Sequence, residues 1–477
     1  CYRKYGHNEG DEPSYTQPLL YKKIRSMVPV REIYESQLVE DGIITKEEAK
    51  NVLDEYIDKL NKAFDSRKVE KPDEKKIPVS KNGHTFNDFN TQLTNDQVLQ
   101  ITNAITSIPD GFDANPKVKG GFKQRRAMIE TTEAKIDWAM AELLAFGGLL
   151  IEGNNIRLSG EDSQRGTFSQ RHAVLIDFQN ERNYVPLNHI NENQGKLKVY
   201  DSPLSELAVL GFDYGYSVKS DNTLTLWEAQ FGDFANMAQP IVDQFISCGE
   251  VKWKQTSNLV MLLPHGHDGQ GPEHSSARLE RYLQLCADEN MIVGNFTTPA
   301  NYFHALRRQM KMEHKTPMIL MTPKSMLRHP GAVSSVSDLS LGKFQHIIDD
   351  SVADKKSINR VLLTTGKLYY ELEAGLKESG RNDVAIVRIE QLYPLHSEML
   401  NEILSQYSNA KNFIWVQEEP KNQGAWNYIL SKLLEIMQRQ VIHYCGRNEG
   451  ASTATGSSKI HAHEQNNLIV AAINGEF

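Results

Sequence analysis

The sequence has no long apolar run, few cysteines and little surplus charge, and each absence narrows the field. No stretch approaches the roughly 20 apolar residues that a membrane-crossing helix needs, and no signal-peptide pattern opens the chain. The formal charge is -8 with no basic stripe, which disfavours a nucleic-acid partner because nothing stands ready to neutralise phosphates. Four cysteines (Cys1, Cys248, Cys286 and Cys445) lie far apart without CxxC spacing and read as reduced thiols of an intracellular protein. There is no Walker-type loop and no GxGxxG, so phosphate cradling of those kinds is not indicated. A hydrolase of the nucleophile-elbow type is unsupported, since GxSxG does not occur.

What is present is an ordinary globular composition, 39% hydrophobic and 24% charged, over 477 residues. That length exceeds one hydrophobic core and suits two or three α/β-sized domains. Residues 18–68 are expected to be helical: Thr45 to Glu48 forms a capping box, and Val52, Tyr56, Ile57 and Leu60 follow at helical spacing. Polar, Asn-rich sequence then predicts a linker that runs to about residue 125, with a short helical patch at Asp96–Ile105 and a Pro/Gly segment from Pro109 to Gly121.

Short apolar runs then alternate with amphipathic stretches. His172–Asp177, Thr223–Glu228, Asn258–Pro264, Met291–Gly294 and Pro317–Thr322 form one set, and Arg360–Gly366, Val384–Ile389 and Asn412–Gln417 a second. Near-continuous apolar runs of this kind are the mark of parallel strands covered on both faces. The predicted fold is α/β, with two doubly wound, mostly parallel-sheet domains over 126–335 and 336–477 after a helical segment over 1–80 and a linker over 81–125. Ligands of such sheets sit outside the carboxyl ends of the strands. Attention therefore falls on Ala229 to Asn236 and on His265 to Ser276, where Gly266, Gly269 and Gly271 permit tight turns.

Taken singly, the residues in these loops have unremarkable explanations. His265, His267, Asp268 and His274 superficially resemble a metallohydrolase loop, but no matching partner motif supplies further ligands, and no metal ligand is assigned. Glu206 would pass for a solvated carboxylate at a helix start. Phe234, Met237, Ile241 and Phe245 form an apolar helical stripe of the sort that usually faces a core. Pattern alone stops at a multidomain α/β enzyme.

Six segments in fixed order carry more. They are Tyr5 to Pro13, Leu158 to Phe168, Trp227 to Phe234, Gly269 to Arg278, Ser325 to Pro330 and Gln417 to Trp426. Together they resemble the decarboxylating component of 2-oxoglutarate dehydrogenase complexes across essentially the whole chain. The resemblance implies a transketolase-like layout: the tail of a pyrophosphate-binding domain over 1–80, a pyrimidine-binding domain over 126–335, and a transketolase-like C-terminal domain over 336–477. It implies thiamine diphosphate as cofactor. It assigns Glu206 and His274 catalytic roles, with Glu206 sharing a proton with the aminopyrimidine N1′, and Phe234, Gln230 and His7 to cofactor binding. Glu161 and Asp162 would organise the site or a dimer interface. The family's GDG…N segment for Mg²⁺ and diphosphate is not found, and the Cys at position 1 fits a chain that begins inside a longer protein, with that segment before Cys1.

The implied reaction is oxidative decarboxylation of 2-oxoglutarate, with succinyl transfer to the lipoyl group of a dihydrolipoyl succinyltransferase. A homodimer is implied, in bacterial cytoplasm or mitochondrial matrix, with neither nucleic acid nor membrane as partner. A 2-oxoadipate enzyme shares the chemistry. A non-catalytic binding module on the same fold is the rival of another class.

Overall fold

The computed structural model describes residues 4–69, 83–131, 134–352, 354–437 and 441–475. Contacts divide the chain into two units, 1–79 and 80–477. In the first, helices span Pro18–Ser26, Val30–Glu40 and Lys46–Val69. The expected capping box forms: the Thr45 amide donates to the Glu48 carboxylate at 2.7 Å, and the Glu48 amide donates to the Thr45 hydroxyl at 3.1 Å. The apolar residues Val52, Tyr56, Ile57 and Leu60 on that last helix are exposed.

Among the described residues the second unit holds fourteen strands in chain order: β1 (Asn155–Gly160), β2 (Leu175–Ile176), β3 (Asn183–Tyr184), β4 (Leu197–Asp201), β5 (Thr223–Glu228), β6 (Val260–Pro264), β7 (Ile292–Asn295), β8 (Met318–Thr322), β9 (Ile347–Ile348), β10 (Arg360–Thr364), β11 (Val384–Ile389), β12 (Gln391–Tyr393), β13 (Asn412–Pro420) and β14 (Ile442–Arg447). Seven form one sheet in the order β12-β7-β8-β6-β5-β1-β4, parallel except for β12. Five form a second in the order β14-β13-β10-β11-β9, parallel except for β9.

Alternation along the strands explains how these sheets are covered. Leu226, Val260, Leu262 and Leu320 enter one core, while their neighbours Trp227, Met261, Leu263 and Ile319 enter another. The second core also takes Val361, Leu363, Ala385 and Val387 from the five-stranded sheet, so one apolar layer joins the two sheets. Leu362, Ile386 and Ile414 face a third cluster on the far side. The first core is closed by the helix Trp138–Ile151, apolar on every side save for Glu142 and buried along nearly its whole length.

Three details differ from the sequence expectation. His172–Asp177 supplies only β2, which pairs antiparallel with β3 outside the large sheet. The first sheet instead uses β1 and β4, two mixed-polarity strands without an apolar run. Within the stretch expected as a linker, the expected helical patch forms over Asn95–Ile105 with Thr94 as its cap, but it buries Val98, Ile101 and Ile105 in the first core. β12, from the C-terminal part of the sequence, pairs with β7 and completes the first sheet.

Candidate active site

Three strands of the seven-stranded sheet, β5 and its neighbour β6 with β4 beyond β1, deliver the candidate residues to one sheet edge. β4 ends at Asp201, and the chain turns at Ser202 to Ser205 into a helix over Glu206–Lys219. Ser205 caps that helix by accepting from the Ala208 amide. Glu206 is therefore the first helical residue, where a carboxylate meets the positive end of the helix dipole. β5 ends at Glu228 and leads directly to Gln230 and Phe234, and β6 ends at Pro264 and leads to His265 through His274. The Glu206 helix packs on the 232–238 turn, which packs on the 272–274 turn.

Phe234 and His274 meet with ring centroids 5.8 Å apart and planes at 80°. Phe231 lies closer still, 4.4 Å from the His274 ring. This contact depends on Gly232. A Cβ there would stand 2.4 Å from the Ala277 Cβ and 2.7 Å from the Pro264 carbonyl oxygen. Only glycine lets the Phe231–Phe234 backbone come so near the loop that follows His274.

Gln230 joins this edge to the end of β1. Its amide donates to Asp162 at 2.7 Å, and its carbonyl oxygen accepts from the Thr167 hydroxyl at 3.0 Å. Glu161 has a carboxyl raised above its ordinary range by burial, then by the neighbouring charges of Glu206 and Asp162. Glu206 itself is half-buried, because a residue at the start of this rim helix is covered from one side only.

His7 belongs to the other unit, where its ring stands edge-on to Tyr21 at 5.9 Å and its Nδ1 lies 2.8 Å from the Asn8 carbonyl oxygen. Both ring nitrogens of His265 are engaged, Nε2 with Glu419 at 2.9 Å and Nδ1 with the Ala277 amide at 3.1 Å, and His267 Nε2 bonds the Thr453 carbonyl at 2.9 Å. Among the described residues no group of three His, Cys, Asp or Glu side chains is arranged to hold a metal ion. No helix among them is long and apolar enough to cross a membrane.

Sequence reasoning missed the charge network beneath the site. Arg171, 1% exposed, forks onto Glu228 at 2.7 and 2.7 Å and onto Glu142 at 2.6 and 3.1 Å. The Tyr302 hydroxyl donates to Glu142 at 2.6 Å. Burial works against the Arg171 cation, but the two carboxylates outweigh it and hold its pKa above the ordinary value. Arg171 also donates to the Ser163 carbonyl, which ties the loop after β1 to the end of β5. Four buried charged or phenolic side chains scattered from Glu142 to Tyr302 leave no local motif, so no sequence signal could have joined them.

A carboxylate on a helix start, an aromatic face, an amide fixed by hydrogen bonds and a half-exposed imidazole thus share one rim of a parallel sheet. This donor set fits an aminopyrimidine, which offers a protonatable ring nitrogen, an exocyclic amine and a flat apolar face. Three family models divide the chain in agreement with this architecture. "Dehydrogenase E1 component" matches residues 1–76, "Transketolase, pyrimidine binding domain" matches 134–330, and "2-oxoglutarate dehydrogenase C-terminal" matches 333–473. The molecule carries a transketolase-like pyrimidine-binding domain.

Among curated relatives, the 2-oxoglutarate dehydrogenase E1 components of Brucella canis and Brucella suis are each 45% identical to it, and that of Brucella abortus 44%. Each match covers 97% of this chain and 48% of the relative, so the chain spans about half the length of the curated relatives it matches. The chain belongs to the 2-oxoglutarate dehydrogenase E1 family, matching its C-terminal half.

Proposed function

We propose that this chain forms the pyrimidine-binding and C-terminal parts of an enzyme that decarboxylates 2-oxoglutarate with thiamine diphosphate. The succinyl group then passes to lipoamide on a succinyltransferase partner. The observation that carries the reading is the convergence of Glu206, Gln230, Phe234 and His274 on the carboxyl ends of β4, β5 and β6. Bound thiamine diphosphate would supply the electron sink for loss of CO₂. The chain's own residues would do the rest. Glu206 accepts and returns a proton at the pyrimidine N1′. Phe234 lies against the ring. Gln230, held by Asp162 and Thr167, presents a fixed amide. His274 hydrogen-bonds or exchanges a proton with the substrate.

This reading leaves Mg²⁺ and the diphosphate to residues outside the chain. It takes a second copy as the cover over the Glu206 rim: Leu204, Leu207 and Phe212 beside it are exposed apolar side chains, with Leu204 80% exposed. His7 is proposed to belong to a loop near the cofactor. The test is turnover on a panel of 2-oxo acids by the full gene product, with Glu206→Ala and His274→Ala beside the wild type. Turnover of 2-oxoglutarate lost in both folded variants supports the reading. Wild-type rates in either would remove that residue from it, and a clear preference for 2-oxoadipate would change the substrate.

A further inference from the structure

His274 is proposed above to meet the substrate, yet its loop is held by groups that no catalytic assignment uses. From the loop's own side, the Ser276 amide donates to Asp233 at 3.2 Å and the Gly266 amide donates to the Ser275 carbonyl at 3.0 Å. The other ties come from farther away. The Lys324 ammonium, at the end of β8, donates to the His274 carbonyl itself and to Gln270 at 3.0 Å, and pairs with Asp268 at 3.5 Å. The Ala277 amide donates to His265 Nδ1 at 3.1 Å, and His265 Nε2 donates to Glu419 at 2.9 Å. Glu419 lies on β13, in the five-stranded sheet. Beside it, Glu418 accepts from the His267 amide at 3.1 Å and is held by Lys367 at 2.7 Å. The Thr453 hydroxyl donates to the Pro272 carbonyl at 2.6 Å.

The tautomer follows from the geometry. Nδ1 of His265 receives an N–H and so carries no proton, which puts the ring proton on Nε2, facing Glu419. The imidazole is therefore a directional strut between a carboxylate of the C-terminal sheet and the backbone three residues after His274. Both ends are buried, so water offers no competing partner.

We propose that Glu419, acting through His265, and Lys324 are positioning residues that fix His274 for reaction, so that the five-stranded sheet sets the geometry of the catalytic rim. This rests on the reading that His274 meets the substrate. A misplacement of about 1 Å can cost on the order of a hundredfold in rate. Positioning groups of this kind should lower kcat and leave KM nearly unchanged.

The test uses the full gene product with Glu419→Ala, Glu419→Gln, Lys324→Met, His274→Ala and the His274→Ala/Glu419→Ala double variant. Glu419→Ala should lower kcat by about tenfold or more with KM within about threefold. Glu419→Gln, which still offers an oxygen to His265 Nε2, should restore most of the rate. The double variant should be no slower than His274→Ala alone, because the strut then has nothing to position. A second readout ignores turnover: the rate at which diethylpyrocarbonate modifies His274, followed by peptide mass spectrometry, should change in Glu419→Ala and Lys324→Met. If Glu419→Ala does not fold, Lys324→Met and Glu419→Gln carry both readouts. Multiplicative losses in the double variant, or an unchanged modification rate, overturn the proposal. A silent His274→Ala variant with a changed modification rate would instead overturn the functional reading and leave the strut standing.

Discussion

The rings of Phe234 and His274, carried by loops after two adjacent strands, stand nearly perpendicular at 5.8 Å. That contact couples the aromatic proposed to face the cofactor to the imidazole proposed to meet the substrate. Phe234→Ala should therefore weaken apparent affinity for thiamine diphosphate by about fivefold, the equivalent of the roughly 1 kcal/mol such ring contacts supply. It should lower kcat as well. Titration of the full gene product with cofactor, read by activity, checks both effects.

Gly232 is a tight point of this edge. A methyl group there would meet Ala277 and the Pro264 carbonyl at impossible distances. Gly232→Ala should cost about 1–3 kcal/mol of stability, as overpacked sites do. It should also displace Phe231 and Phe234 from His274. Denaturant unfolding gives the first number, and an unchanged midpoint would contradict the close approach.

Arg171 neutralises two buried carboxylates at once. Arg171→Met leaves Glu142 and Glu228 without their cation and should cost about 3–5 kcal/mol. Arg171→Lys should recover little of this, since an ammonium cannot fork onto both groups. Unfolding midpoints of the two variants, compared with the wild type, decide the matter.

The junction between the two sheets should be acid-sensitive through Glu418. Burial pulls this carboxyl upward, but Lys367 and then His267 outweigh it and hold it well below its ordinary value of 4.5. A depressed carboxyl stabilises the fold above the unfolded-state pKa, and that contribution fades as pH falls towards the folded-state value. The stability gap between wild type and Glu418→Gln should thus be full at neutral pH and shrink below about pH 4.5. Urea unfolding at several pH values measures it; a gap that widens in acid would contradict the assignment.

Much of the fold was legible because buried parallel strands announce themselves. Val260–Pro264 is apolar throughout, Met318–Thr322 is apolar up to its closing Thr322, and both are buried throughout. β4 was not legible: at the sheet edge it alternates, burying Leu197 and Val199 while Lys198 and Tyr200 are exposed, so its sequence reads as polar. The helical stripe read through Phe234, Met237, Ile241 and Phe245 is not a stripe. That stretch is a 3-10 turn over Gly232–Ala238, one short turn of α-helix and a π-turn over Val242–Ile246, so 3.6-residue spacing fails. Met237 is 64% exposed, and Phe234 is left half-exposed on the rim.

The site itself was visible only through the ordered motif set. Local pattern favoured core for Phe234 and a solvated helix start for Glu206. The supporting groups, Lys324, Glu419 and Arg171, stayed hidden because their partners lie far away in sequence and only the folded sheets bring them together.

The most direct test addresses the proton at Glu206. In the full gene product saturated with thiamine diphosphate, hydrogen–deuterium exchange at the cofactor's C2 position can be timed by quenched-flow NMR. Glu206→Gln should slow it by about a hundredfold or more, the usual weight of a placed acid–base group, while Glu161→Gln should have a much smaller effect. Exchange at the wild-type rate in folded, cofactor-saturated Glu206→Gln would contradict the account.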